Sequence, residues 1–182
     1  MIDQEKINDG IDFAAAMNSV YLLAHPEVAR KFRARLRADR RARTVLVLAI
    51  KPKYAKAIYE GRKNWEFRKS PPPLFREMYV YESAPVSAVT GTVWFSESVT
   101  GIPLAVWDIV KTNKCYTRNI TGISFPDLEA YTGKHIVTAL RVLDFNRFDK
   151  PVKFGPRPPQ NWGKYLLPRD VAAAFRAGLF LQ

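Results

Sequence analysis

The sequence predicts an α+β fold: a small mixed β-barrel with short helices at its ends, preceded by an N-terminal helical segment. Three observations carry this. First, "TVLVLAI" at residues 44–50 is a seven-residue β-branched and apolar run, the pattern of a strand buried on both faces. Second, several short strand candidates follow it, bounded by Gly, Pro and Ser and separated by short helical stretches, in the order β-α-β-β-β. Third, upstream of Thr44 the apolar positions lose strand alternation and cluster with helical spacing. Three parts result: a basic helical extension at 1–43, a main domain at 44–167 and a C-terminal helix within 168–182.

Taken in order, Asn8 and Asp9 suit a helix start, and the apolar positions from Ile11 to Ala24 form a first helix. Pro26 fits the first turn of a second helix, in which Val28, Phe32 and Leu36 recur every four residues. Two consecutive helices also admit a helix-turn-helix reading, although the turn lacks its usual glycine. After the strand at 44–50, "KPKYAKAIYEG" starts a helix at Pro52. Tyr54, Ala57 and Ile58 share one face, and Gly61 ends it. The next strand runs through "KNWEFRK" and stops at Pro71–Pro73. "EMYVYES" and "AVTGTVWFSES" read as strands, "IPLAVWDIV" and "SFPDLEAYTG" as short helices, and "HIVTALRVLDF" as a long strand. A Pro-rich tail, "KPVKFGPRPPQNWGKYLLP", precedes the last helix at 169–178.

With 182 residues and 47% hydrophobic content the chain is long enough to bury its own core. A single cysteine, Cys115, forms no internal disulfide, and with only two histidines a structural zinc site is not expected. Neither metal nor cofactor is expected. No run of about 18 apolar residues is present, and "MIDQEKINDG" lacks the basic-then-apolar pattern of a signal peptide. The cytoplasm is the expected location and no membrane partner is expected; the sequence does not specify an oligomeric state.

The formal net charge of +12 makes a polyanion the natural partner. The charge is concentrated. "RKFRARLRADRRAR" at 30–43 holds eight basic side chains against Asp39, and 51–69 holds seven against Glu60 and Glu66, while 1–29 carries a net −4. A solvated face explains an isolated run; two neighbouring runs interleaved with aromatics point to RNA or another single-stranded nucleic acid. Arg33, Arg35, Arg37, Arg40 and Arg41 are the candidate phosphate contacts.

Within the second run, "GRKNWEFRK" places Lys63, Glu66 and Arg68 close together. An Arg fork grips phosphate or a base edge, a Lys adds a mobile positive charge, and a Glu accepts from an exocyclic amine such as that of cytosine. Strand alternation puts Glu66 and Arg68 on one face, with Trp65 and Phe67 on the other. Lys63 joins the first pair only from the turn after Gly61. The alternative is that Glu66 and Arg68 form an ion pair that closes the barrel. Among the aromatics, Trp65, Phe67, Tyr79, Trp94 and Trp107 suit a core, and Tyr54 and Tyr81 are the preferred stacking pair. Ser83 is a candidate polar contact. His25 and His135 lack a cysteine or carboxylate partner at nucleophile spacing.

Four stretches in register, "LAIKPKYAKAIYEGRKNWEFRK", "YVYESAPVSAVTGTVWF", "FPDLEAYTGKHIVTALRVLDFNRFDKPVKF" and "PPQNWGKYL", closely resemble the ASCH domain, a relative of the PUA fold. Gly61, Lys63, Glu66 and Arg68 meet its Gly-x-Lys-x-x-Glu-x-Arg signature. Lys51 with Tyr54, and the closing Pro-Pro-Gln with Tyr165, support it. The resemblance implies a PUA-like mixed β-barrel with a cleft between the first barrel helix and the sheet, accepting RNA or a modified nucleotide. The ligand-binding set is then Lys51, Tyr54, Lys63, Glu66, Arg68, Tyr81, Ser83, Gln160 and Tyr165. Some members resembling this chain are hydrolases of acetylated cytidine, and at least one type is a ribonuclease. In the hydrolase type a threonine nucleophile stands three residues after the lysine; that place holds Glu66 here, so the lysine carries over and the threonine does not. Binding is the leading expectation. The alternatives are a ribonuclease or nucleoside amidohydrolase with Lys63 and Glu66 as catalytic groups, and a DNA-binding regulator acting through the N-terminal helices.

Overall fold

The computed structural model describes residues 24–39, 44–112, 121–133, 135–154 and 157–166, together with residue 173. The expected helices over 11–24 and 169–178 lie almost wholly outside the described residues, as do Cys115, Arg40 and Arg41. Helix α1 (Pro26–Asp39) begins where Pro26 presets φ and Glu27 faces the positive end of the helix dipole. The His25 carbonyl accepts from the amides of Val28 and Ala29, which places His25 at the helix start. Ala29 is buried, whereas Arg30, Lys31 and Arg33 are exposed. The Lys31 ammonium lies 5.9 Å from the centre of the Phe75 ring.

The main domain is built from β1 (Thr44–Ile50), α2 (Pro52–Tyr59), β2 (Trp65–Arg68), β3 (Met78–Glu82), β4 (Ala88–Gly101), α3 (Pro103–Thr112), α4 (Phe125–Thr132), β5 (Val137–Val152) and β6 (Trp162–Leu166). The strands form one six-stranded sheet in the order β2-β5-β4-β3-β1-β6. Among the described strands only β1 and β3 pair in parallel, and α2 and β2 lie in the connection between them. The two long strands, β4 and β5, carry three shifts of register against each other, each adding bend and twist that let the sheet coil. Coiling brings backbones unusually close at Gly91, where a Cβ would sit 2.1 Å from the Asn146 carbonyl oxygen and 2.6 Å from the Tyr59 hydroxyl oxygen.

Strand β1 is buried on both faces, as its unbroken apolar run predicts. Leu46, Leu48 and Ile50 pack with Ile58 and Tyr59 of α2, while Val45 and Val47 pack on the opposite face with Tyr79, Tyr81 and Phe148. A third cluster joins Trp65 and Phe67 of β2 to Val106 and Val110 of α3 and Leu128 of α4. Two sequence expectations are corrected. "KPV" belongs to β5, which runs on to Val152. The tail also contains a strand, β6, whose partner is the free edge of β1 in the register Val45–Tyr165. Neither segment has a strong strand pattern of its own; pairing with a distant edge decides both.

Asp144 sits where the β4–β5 register shifts, its Oδ1 accepting from the Phe145 amide at 2.9 Å. Burial raises its pKa from 3.8 to about 6, against the opposing effect of that hydrogen bond. The folded state therefore holds this proton more tightly than the unfolded chain, and stability falls as pH rises from 3.8 to about 6. Asp144→Asn is expected to raise the urea midpoint at pH 7.5, by a stabilisation on the order of 1–3 kcal/mol. The gain should vanish below pH 3.8, where the carboxyl is neutral in both states.

Candidate functional site

The site begins at the C-terminus of α2. The Gly61 amide donates to the Ile58 carbonyl at 2.9 Å and the Arg62 amide to that of Ala57 at 2.8 Å, the paired bonds that close a helix when the residue after its cap is left-handed. Gly61 supplies that conformation, with φ of 65°. The chain then turns back, and Lys63 is still in the turn before β2 starts at Trp65. Lys63 is therefore free of strand alternation and joins Glu66. Along β2 the pleat turns Trp65 and Phe67 into the α3–α4 cluster and leaves Glu66 and Arg68 to the other side.

Lys63, Glu66 and Arg68 are 3%, 5% and 8% exposed, so three charges share an almost dry space. Lys63 Nζ is 2.9 Å from Glu66 Oε2, and Arg68 Nη2 is 2.8 Å from Glu66 Oε1. Lys63 Nζ also donates to the Trp65 carbonyl and faces the rings of Tyr54 and Phe67, 5.6 and 5.4 Å from their centres. Its stem is covered by Gly122, where a Cβ would lie 2.9 Å from Lys63 Cβ and Cγ. Arg68 extends further: Nη2 donates to the Ala49 carbonyl at 2.8 Å and Nη1 to Asn161 Oδ1 at 3.0 Å. Asn161 in turn donates to the Ser70 carbonyl at 2.8 Å. Arg68 thus ties the edge strand β2 to β1 and to the entry of β6, at the opposite end of the sheet order. It closes the barrel with side chains where no ladder does.

Burial pushes the Glu66 carboxyl up, but the charges of Lys63 and Arg68, with their hydrogen bonds, outweigh it and hold the group below its ordinary value. Burial pushes the Lys63 ammonium down; Glu66 opposes this and the Arg68 charge adds to it. With Glu66 ionised, both its oxygens are engaged, one by Lys63 and one by Arg68. With Lys63 protonated, two cations face one anion in this nearly dry space.

A cavity of about 840 Å³ opens beside this triad. Of the residues expected from sequence, Lys51, Tyr54, Lys63, Glu66, Arg68, Tyr81, Ser83 and Gln160 all line it. Lys51 stands immediately before α2, and the Ser83 amide donates to the Ile50 carbonyl, which holds the end of β3 at the rim. Tyr165 does not line the cavity: its ring packs edge-on to Phe154, and its hydroxyl donates to the Arg157 carbonyl. Among the other aromatics, Trp65, Tyr79, Trp94 and Trp107 are kept out of the lining, while Phe67 contributes to it. On α1, Arg33 is exposed; the side chains of Arg35 and Arg37 are outside what is described.

Sequence reasoning missed several walls. Asn161 and the Pro158–Pro159 pair come from the tail, Tyr131 and Asp127 from α4, and Ile123 from the segment before it. Asp127 also caps α4, its Oδ2 accepting from the Ser124 hydroxyl at 2.7 Å and from the Ser124 amide at 3.2 Å, bonds that lower its pKa. The short helix at "SFPDLEAYTG" was legible, but nothing local placed it on the cavity. Among the described residues no group of three or more His, Cys, Asp or Glu side chains is arranged to hold a metal ion. None of the described helices is long and apolar enough to cross a membrane.

A mixed six-stranded barrel, with a helix crossing between its parallel strands and a cavity between that helix and the coiled sheet, defines a PUA-like protein. The chain belongs to the ASCH domain family, whose sequence profile matches residues 48–154. The crystal structure of ASCH from Zymomonas mobilis is similar, with a TM-score of 0.59 at 22% identity over 75% of this chain and 96% of that one. Two mutant forms of that protein give TM-scores of 0.57 and 0.58 at 23% and 24% identity, covering 72% and 76% of this chain and 96% of theirs. At these identities the likeness is one of fold. No curated protein matches the chain.

Proposed function

We propose that the cavity binds a single unpaired nucleotide of RNA, or a modified nucleotide, with its phosphate or an acceptor-bearing base edge towards Lys63 and Arg68. The observation that carries this reading is the buried Lys63–Glu66–Arg68 triad on the cavity, beside tyrosine walls. Arg68 lines the cavity, and its Nε is buried with no hydrogen-bond partner among the described residues, so the guanidinium has donor capacity that its protein partners do not use. Tyr54, Tyr81 and Tyr131 offer faces for a base, and Asp127 and Gln160 offer polar groups for its edge. The exposed Arg30, Lys31 and Arg33 of α1 add sequence-independent attraction for phosphates.

The experiment is titration of the four ribonucleoside 5′-monophosphates and the corresponding nucleosides, followed by calorimetry. Saturable one-to-one binding is expected, weakened by Tyr54→Ala by about 1–3 kcal/mol through lost stacking. Absence of binding by every monophosphate and nucleoside would sink the proposal.

A second reading, hydrolysis of the bound nucleoside or RNA, is favoured by the burial that lowers the Lys63 ammonium and eases loss of its proton. In that reading Lys63 acts on the bound group and Glu66 only positions it. Full recovery of a mixed RNA pool and of acetylated cytidine after long incubation would exclude it.

A further inference from the structure

Tyr165 lies outside the cavity but not away from it. Tyr81 of the cavity wall meets Phe154, with ring centres 5.9 Å apart, and Phe154 meets Tyr165 edge-on at 4.9 Å. The three rings make a continuous aromatic track from the cavity lining to the β6 edge of the barrel. The Tyr165 ring lies close over Gly163, where a Cβ would be 2.9 Å from it, so the missing side chain leaves room for the ring. Both Phe154 and Tyr165 stay half-buried rather than covered. The segment joining them supplies charge as well: Lys153 precedes Phe154, Arg157 is the residue whose carbonyl the Tyr165 hydroxyl holds at 3.1 Å, and both side chains are exposed. That segment continues directly into Pro158–Asn161, the cavity wall.

We propose that the Phe154–Tyr165 pair, with Lys153 and Arg157, is a second stacking subsite that takes the nucleotide next to the one held in the cavity. The ligand is then a single strand, one base enclosed and its neighbour stacked at the β6 edge while Lys153 and Arg157 meet the linking phosphates. This rests on the reading of the cavity as a nucleotide site. Its prediction is separate: affinity must depend on the second nucleotide, whereas the cavity alone sees only the first.

The test compares the best-bound ribonucleoside 5′-monophosphate with the trinucleotide of the same base. The trinucleotide is expected to bind about tenfold more tightly, from an added stack that the contacts of Lys153 and Arg157 with the linking phosphates hold in place. Tyr165→Ala, or Lys153→Gln combined with Arg157→Gln, should erase that advantage and leave monophosphate affinity unchanged. Tyr165→Phe separates stacking from support of the wall. It keeps the ring and removes the bond to Arg157, so it should retain the tenfold advantage. Equal loss of mono- and trinucleotide binding in Tyr165→Phe would assign the residue to holding Pro158–Asn161 and overturn the subsite. A trinucleotide no tighter than the monophosphate would overturn it while leaving the cavity reading intact. If no monophosphate binds, both fall.

Discussion

Glu66→Gln is expected to destabilise the protein by about 3–5 kcal/mol at pH 7, the usual cost of removing one partner from a buried ion pair. The neutral amide leaves Lys63 and Arg68 facing each other across a nearly dry space with no countercharge, although the side-chain shape is almost kept. Urea unfolding as a function of pH is the measurement. In the wild-type protein the folded pKa of Glu66 lies below its ordinary 4.5. The unfolded chain therefore binds more protons in that window, and the contribution of Glu66 is complete above pH 4.5 and lost as pH falls through the folded value. The gap between wild type and Glu66→Gln should be widest near neutrality and narrow in acid. A gap independent of pH would mean that shape, not charge, is what Gln fails to supply. A triple replacement of Lys63, Glu66 and Arg68 by apolar residues of similar volume removes the charges together and should cost less than Glu66→Gln, while abolishing ligand binding.

Arg68→Lys, conservative in charge, should lower nucleotide affinity by two orders of magnitude or more, on the order of 3 kcal/mol, and also destabilise the barrel. One guanidinium serves Glu66, Ala49 and Asn161 at once, and Arg68 also lines the cavity. A single ammonium on a shorter fork-less stem reaches only some of these. The two effects are separable with Asn161→Ala, which removes the Nη1 partner and the bond to Ser70 but leaves the triad in place. That variant should melt earlier than wild type and keep most of its affinity once folded. If Arg68→Lys binds monophosphates normally below its melting temperature, Arg68 closes the barrel and does not meet ligand.

The part of the site that local sequence specifies lies within a few residues of Gly61. The left-handed glycine, the turn that frees Lys63 from alternation and the pleat that pairs Glu66 with Arg68 are all local geometry, and the spacing Gly61–Lys63–Glu66–Arg68 specifies them. The strand at Thr44–Ile50 was equally legible, because an apolar run of that length has nowhere to go but between two layers. Tertiary structure alone decided the rest. Asn161 reaches Arg68 from 93 residues away, and β6 exists because the free edge of β1 accepts it. Gly122 covers the Lys63 stem from an otherwise unremarkable segment, and Asp127 and Tyr131 of α4 become cavity walls only when the coiled sheet brings that helix alongside β2. Tyr165, grouped with the cavity residues by motif, was carried instead to the outer edge by the register of β6 on β1. A strand's own sequence fixes which of its residues share a face; which face meets the cavity is set by the partner strand and the coil of the sheet, and neither is encoded locally.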